Sequence, residues 1–527
     1  MPVIQANKIS YQFDNGDRLF SDISCSLSDK RVGLVGRNGV GKSLLAGMLT
    51  KKHRPTSGSV VINATHDTYS QQPSQWLMNS TTVADYLGVT DKIIALQHIE
   101  KGDCDDKWFE MLADDWTIKQ RLSQQLAELG LPREVNFPCS KLSGGQLARL
   151  QLWRLFNSEV DLLVLDEPSN HLDGEAKAWL IEKMAQFSGH ILLISHDRQL
   201  LRQMDQIWEL SQLGLVQYGG NYDVYSEQKQ RERNALERQI EAVRGEQKKL
   251  EVQAQRNHEK AQQREAQGNK LRKSGSQSKL ILDGMKDSAT ASLSNRLKND
   301  NNRRTMLAQK HHALSGRYEQ ITPQKIYLEQ GEASRAKRLN IVSGILPFGS
   351  RETINLILEG NSRLHLCGGN GSGKSTLLKV LRGDICLESG ELKINHPVCY
   401  LDQHFGLINE SHSILDNLME YCSGIIESDA RTLLAGIGFR RDTVYRQASL
   451  LSGGEKMKLA MLIASHQPLS PILLLDEPDN HLDLDSKQLL AEALRSYQGA
   501  FILVSHDDDF VNESGVTQRY TLVGEGG

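Results

Sequence analysis

A chain of 527 residues is too long for one hydrophobic core, so two or more domains are expected. Its 39% hydrophobic and 24% charged content is ordinary for a soluble globular protein, and no run of eighteen apolar residues exists to span a bilayer. The net charge of −3 hides an asymmetry: Ser226 to Asn340 holds 25 basic and 14 acidic residues, +11 in all, and leaves −14 for the rest.

A basic segment between two acidic ones suits a polyanionic partner, although charge alone equally allows a solvated helical hairpin. The N-terminal residues lack a basic region followed by an apolar run, so no secretion signal is expected there. Seven cysteines without C-x-x-C spacing read as scattered reduced thiols of a cytoplasmic protein.

In chain order, Phe13 is an aromatic ahead of the first apolar strand, Arg31 to Gly36. That strand feeds Gly36-Arg-Asn-Gly-Val-Gly-Lys42-Ser43, a G-x-x-x-x-G-K-[ST] loop. Gln72 follows Tyr69 after a β-like stretch. Leu142-Ser-Gly-Gly-Gln146 opens a helical pattern. Leu162-Leu-Val-Leu-Asp166 and Ile191-Leu-Leu-Ile-Ser195 are buried strands, ending at Asp166-Glu167 and at His196. The whole series then recurs: strand Arg363 to Gly368, loop Gly368 to Ser375, Gln403 after Tyr400, Leu451 to Glu455, Asp476-Glu477 and His506. Repetition divides the chain into residues 1–225, 226–340 and 341–527. The two repeats read as α/β domains with parallel sheets, whose ligands bind outside the carboxyl ends of the strands.

Between them, Leu236, Ile240, Val243, Leu250 and Ala254 form a heptad-like stripe, and Leu293, Leu297, Leu307, Leu314, Tyr318 and Ile321 form a second. Gly268 to Ser288 interrupts the helical pattern, so an antiparallel helical hairpin with a basic tip is expected.

The chemistry is that of nucleotide phosphate. Gly36, Gly39 and Gly41, with Gly368, Gly371 and Gly373, let main-chain N–H groups approach phosphate oxygens. Asn38, Asn370 and Thr376 complete the ATP-binding loops. Lys42 and Lys374 reach the β- and γ-phosphates, and Ser43 and Ser375 offer hydroxyls to Mg²⁺. Asp166 and Asp476 are placed as Mg²⁺ ligands, and Glu167 and Glu477 to polarise an attacking water. Equal offsets make His196 and His506 γ-phosphate contacts, catalytic beside the two glutamates. Gln72 and Gln403 are expected to bridge Mg²⁺ and that water. Ser143, Gly144, Gly145 and Ser452, Gly453, Gly454 open helices with free N–H groups, a second anion site. Each is expected to cap the ATP held by the other domain, so that two nucleotides clamp the domains together.

With two such sets in one order, the chain resembles ATP-binding cassette proteins. Ser169-Asn-His171-Leu-Asp173 and Asp479-Asn-His481-Leu-Asp483 look like D-loops of the ABC-F branch. The resemblance implies tandem cassettes paired within a monomer, a long helical linker, and ATP hydrolysis without a membrane partner. It also implies binding in the ribosomal exit-tRNA site, with the linker toward peptidyl-tRNA, in translation or in protection from ribosome-targeting antibiotics. Arg272, Lys273, Lys279 and Lys286 would then meet ribosomal RNA. Asp479 departs from the threonine often found there, and an extra carboxylate is expected to slow turnover at one site or to repel phosphate. Phe13 is the adenine-stacking candidate; Phe348 is a poorer match in spacing. The arm that some members carry after the first loop is expected to be short here, near Asp91 to Asp115, which weakens the case for stalk contact. Two other readings stay open: the energy module of a membrane importer, and a DNA-directed ABC-F ATPase, usually marked by a basic C-terminal coiled coil that is not expected here.

Overall fold

The computed structural model describes residues 2–70, 81–170, 172–274, 298–316, 318, 337–402, 405–422, 424–467, 471–480 and 482–523. It forms two compact units, Met1–Tyr225 with Lys325–Gly527, and Ser226–Gln324. The first unit contains both repeats.

In the first repeat, short Leu/Ile/Val runs assemble a six-stranded sheet. Its order is His66–Tyr69, Leu162–Asp166, His190–Ile194, Arg31–Val35, Gln206–Ser211, Gly214–Gly219. All neighbours are parallel except the last pair. Side chains of a strand alternate between faces, and both faces here are covered. Leu162 and Val164 pack with helix Lys42–Leu49 and a three-stranded antiparallel sheet. Leu163 and Leu165 pack with helices Gly144–Phe156 and Gly174–Gln186. The second repeat has a five-stranded parallel sheet in the corresponding order, Val398–Leu401, Ile472–Asp476, Phe501–Val504, Arg363–Cys367, Gln518–Thr521. Ile472 and Leu474 face one core, and Leu473 and Leu475 the other. These are the parallel α/β sheets that the repeated motifs predict, with the motifs at their carboxyl ends.

Two differences concern boundaries and insertions. Strand Lys337–Ile345 joins the second repeat's antiparallel sheet, so the last residues of the expected 226–340 spacer belong to that sheet. Arg338 and Leu339 are buried there, which a solvated linker would not require. The extra residues of the first repeat form helices Thr90–Glu100 and Asp106–Leu112, around a small core of Ala95, Leu96, Leu112 and Ile118.

Helix Tyr222–Ser274 carries the chain into the second unit, and residues 298–316 are helical on the return. Val243, Leu250 and Leu307 are buried together with Leu314 against them. Arg244 bonds His311 at 3.1 Å, and Tyr318 bonds Glu237. Numbers rising on one helix meet numbers falling on the other, so the pair is antiparallel. Leu293, Leu297 and Ile321 of the expected seam lie outside the described residues. Among those described, no helix is long and apolar enough to cross a membrane, and the seven cysteines are free.

Candidate nucleotide sites

Each phosphate loop turns sharply from strand to helix. Gly36 and Gly368 adopt φ of 152° and 148°. A Cβ on Gly36 would lie 2.3 Å from the Leu210 carbonyl, so only glycine fits. Helices Lys42–Leu49 and Lys374–Arg382 begin without side-chain caps, leaving their first N–H groups directed at the loop. Lys42 Nζ donates to the Gly36 and Arg37 carbonyls at 2.8 and 3.2 Å; Lys374 Nζ donates to those of Gly368 and Gly369 at 2.7 and 2.9 Å. Both ammoniums therefore sit over their loops, and burial lowers the pKa of each.

The carboxylates stand opposite. Asp166 is hydrogen-bonded by Ser43, and Asp476 by Ser375 and by Tyr400 at 3.1 Å. Burial raises both above the ordinary carboxylate range. Hydroxyl and carboxylate oxygens held together form a hard donor set that fits Mg²⁺. The next residues are held under backbone strain: Glu167 and Glu477 both have φ of 50°, in the left-handed region a glutamate seldom enters. Their N–H groups donate to the Ile194 and Val504 carbonyls at 2.8 and 2.9 Å, which fixes the turn. Glu167 Oε1 lies 3.6 Å from His196 Nε2, and Glu477 Oε1 lies 3.5 Å from His506 Nε2. Burial, reinforced by Lys42 and Lys487, holds His196 well below the usual imidazole range, so the ring is neutral. Burial likewise lowers His506, with Lys374 adding to the effect. Neither ring nitrogen of His196 has a hydrogen-bond partner among the described residues.

The first loop lines a cavity of about 700 Å³ with Phe13, Lys42, Ser43, Asp166, Glu167 and His196. Phe13 is half-exposed and packs edge-on against Tyr11 at 5.4 Å. Phe348 is 71% exposed, which offers a base no walled slot.

The repeats meet head to tail. Asn38 N of the first loop donates to Asp483 Oδ2 at 3.0 Å, and Arg37 pairs with Asp485 at 3.3 Å. Reciprocally, the main chain at Asn370 bonds Asp173, which Arg149 on helix Gly144–Phe156 holds at 2.8 Å. Ser143 and Ser452 cap helices Gly144–Phe156 and Gly453–Ser465 through capping boxes with Gln146 and Glu455.

The family model described as ABC transporter matches residues 20–170 and 352–480, once on each repeat. The chain belongs to the ATP-binding cassette family, in its ABC-F branch. As an ABC-F protein it is 30% identical to the probable ATP-binding protein YheS of Escherichia coli strain K12, over 94% of this chain and 76% of that one. It is also 30% identical to the ATP-binding protein Uup of the same strain, over 94% and 76%. It is 28% identical to ABC transporter F family member 5 of Arabidopsis thaliana, over 92% and 70%. In fold it resembles archaeal ribosome recycling factor aABCE1, solved with the archaeal stalk protein aP1, at a TM-score of 0.51 and 16% identity over 96% of this chain and 86% of that one. Cassettes of this family bind ATP and generally use Mg²⁺.

Not every expected site residue can be placed in these cassettes. Gln72, Gln403, Lys279 and Lys286 lie outside the described residues. Arg272 and Lys273 fall in the last turn of helix Tyr222–Ser274. Two lysines were missed altogether. Lys177 and Lys487 are buried at the cassette contact, where Lys177 pairs with Asp197 at 2.8 Å and Lys487 with Asp507 at 2.9 Å. Their signal was available: each stands at the same distance beyond its D-loop, on the buried face of a helix. Asp479 is also buried, 3.8 Å from Lys487.

Proposed function

We propose that this ABC-F protein hydrolyses two ATP molecules at its cassette contact and uses the cycle to bind and leave the ribosome. The observation that carries the ATPase reading is the strained strand-end glutamate beside a histidine, facing a lysine-bearing phosphate loop, present twice. In the proposed mechanism, loop N–H groups with Lys42 and Lys374 hold the phosphates and offset their charge. Ser43 with Asp166, and Ser375 with Asp476, would hold Mg²⁺, which supplies charge neutralisation at the phosphates. Glu167 and Glu477 accept a proton from the attacking water and orient it. His196 and His506 donate an N–H to the γ-phosphate. Ser143-Gly144-Gly145 and Ser452-Gly453-Gly454 cap the nucleotide of the opposite cassette, so ATP favours closure and hydrolysis releases it.

The basic excess of the spacer supports an RNA partner, since phosphate contacts by Lys and Arg dominate such binding. The ABC-F family membership favours the ribosome, its exit-tRNA site and peptidyl-tRNA over DNA, in translation or in protection from antibiotics. An importer would need a membrane permease to act upon. The test uses the double variant Glu167→Gln with Glu477→Gln. It should bind ATP, hydrolyse none, and sediment with ribosomes in ATP; ribosome-free sedimentation would remove the ribosomal part of this reading.

A further inference from the structure

Four buried charges lie where the cassettes meet, outside the phosphate chemistry. Lys177 pairs with Asp197 and Lys487 with Asp507, each lysine on the helix after a D-loop and each aspartate directly after a histidine of a nucleotide site. All four are less than a tenth exposed. Burying charges is costly unless they are paired, so these pairs demand a closely fitted contact.

The two halves then diverge. Lys177 reaches out of its own cassette and donates from Nζ to the His506 carbonyl at 3.1 Å. Lys487 bonds Asp507 and stands 3.8 Å from Asp479. At the position equivalent to Asp479 the first D-loop has Ser169, which carries no charge. Asp479 Oδ2 stands beyond hydrogen-bond reach of Lys487 Nζ, so its hold on Lys487 is through charge, while Ser505 hydrogen-bonds the same carboxylate.

We propose that Lys177 is a positioning residue for the second ATP site, and that Asp479 keeps Lys487 from serving the first site in the same way. Resting on the ATPase reading above, the proposal makes the histidine of the second site dependent on the first cassette. When the cassettes part, the His506 carbonyl loses its tether and the ring loses its placement beside Glu477. At the first site, His196 is held from within its own cassette, by burial and by the bond of its main-chain N–H to the Glu167 carboxylate. The two sites would therefore differ in how strictly turnover requires closure.

The experiment reads each site separately. Glu167→Gln leaves the second site to turn over, and Glu477→Gln leaves the first. Into each, Lys177→Met is introduced together with Asp197→Asn, so that no bare buried carboxylate remains. The expected result is a fall in kcat of at least fivefold more at the second site than at the first, with KM for ATP changed less than twofold. Lys177→Arg with native Asp197 should restore most of the loss. Equal falls at both sites, or a change confined to KM, would overturn the positioning role. In the Glu477→Gln background, Asp479→Ser should raise first-site kcat, and no rise or a fall would overturn the part assigned to Asp479. If the unmodified chain hydrolyses no ATP while binding a fluorescent ATP analogue, it is the ATPase reading that fails.

Discussion

The two nucleotide sites share their motif residues and differ in what surrounds them. At the first, Glu167 is pushed up to about 7, chiefly by burial, with Lys42 pulling the other way. Its histidine side chain is 8% exposed, against 21% for His506 at the second. An aromatic wall, Phe13, borders the first site, whereas Phe348 projects outward. At the second, Tyr400 adds a hydroxyl to Asp476, and a lysine from the other cassette grips the histidine's carbonyl. Duplicated motifs thus need not mean duplicated chemistry. The repeated loops present the same donors to a candidate phosphate, while packing sets the proton affinity of the groups behind them.

The sharpest way to probe the difference is to silence one site at a time. Glu167→Gln and Glu477→Gln should each lower turnover at their own site by about 10²–10⁴-fold, the usual worth of a general base. Single-turnover ATPase measurements on each variant resolve the two contributions. Should one substitution alone abolish both, the sites are not separable and the comparison fails.

The first site should also betray its raised carboxyl in a pH profile. Glu167 must be unprotonated to accept a proton, and its pKa near 7 lies above the ordinary 4.5. Turnover of Glu477→Gln, where only the first site works, is therefore expected to fall about tenfold per pH unit below ~7. A profile flat from pH 5.5 to 8 would show that Glu167 does not serve as the base.

Nucleotide affinity should divide in the same way. Phe13→Ala is expected to weaken ATP binding at the first site by about tenfold, within the roughly 1–3 kcal/mol that base–aromatic stacking contributes. Phe348→Ala should change the second site less than about twofold, because so exposed a ring gives up little contact. Equilibrium titration with labelled ATP checks both.

Much of this molecule was legible in its sequence because the phosphate loops impose strict local demands. Glycines at fixed spacing, a lysine and a hydroxyl after them, and apolar strands ending in Asp-Glu gave the sheets and both loops. The seam of the helical insertion was readable for the same reason, since Val243, Leu250, Leu307 and Leu314 recur at a helical period. Tertiary context carried the rest. The left-handed turn at Glu167 and Glu477 follows from strand-to-strand hydrogen bonds, not from residue preference. Lys177 and Lys487 look like surface lysines on amphipathic helices until the two cassettes come together over them. Repetition alone puts Lys337 to Asn340 in the spacer, yet Arg338 is buried and the pairing with Ile354–Glu359 brings these residues into the second repeat's sheet.

The smallest expected effect isolates Asp479. Burial raises its carboxyl from the ordinary 3.8 to about 6, against the attraction of Lys487. The folded protein therefore holds this proton more tightly than the unfolded chain does. Stability falls as pH rises from about 4 to about 6, and above that window the full cost of the buried charge, at most about 3 kcal/mol, is present. Asp479→Ser removes that cost and leaves Lys487 its bond to Asp507. Its stabilisation over the unmodified chain should accordingly grow by about 1 kcal/mol between pH 5 and 7.5, measured by chemical denaturation. A gain that shrinks over this range would mean that Lys487 makes Asp479 a net stabilising anion. Asp479 would then be a latch within the second cassette, tying its D-loop to the helix that follows, not a burden that the D-loop carries.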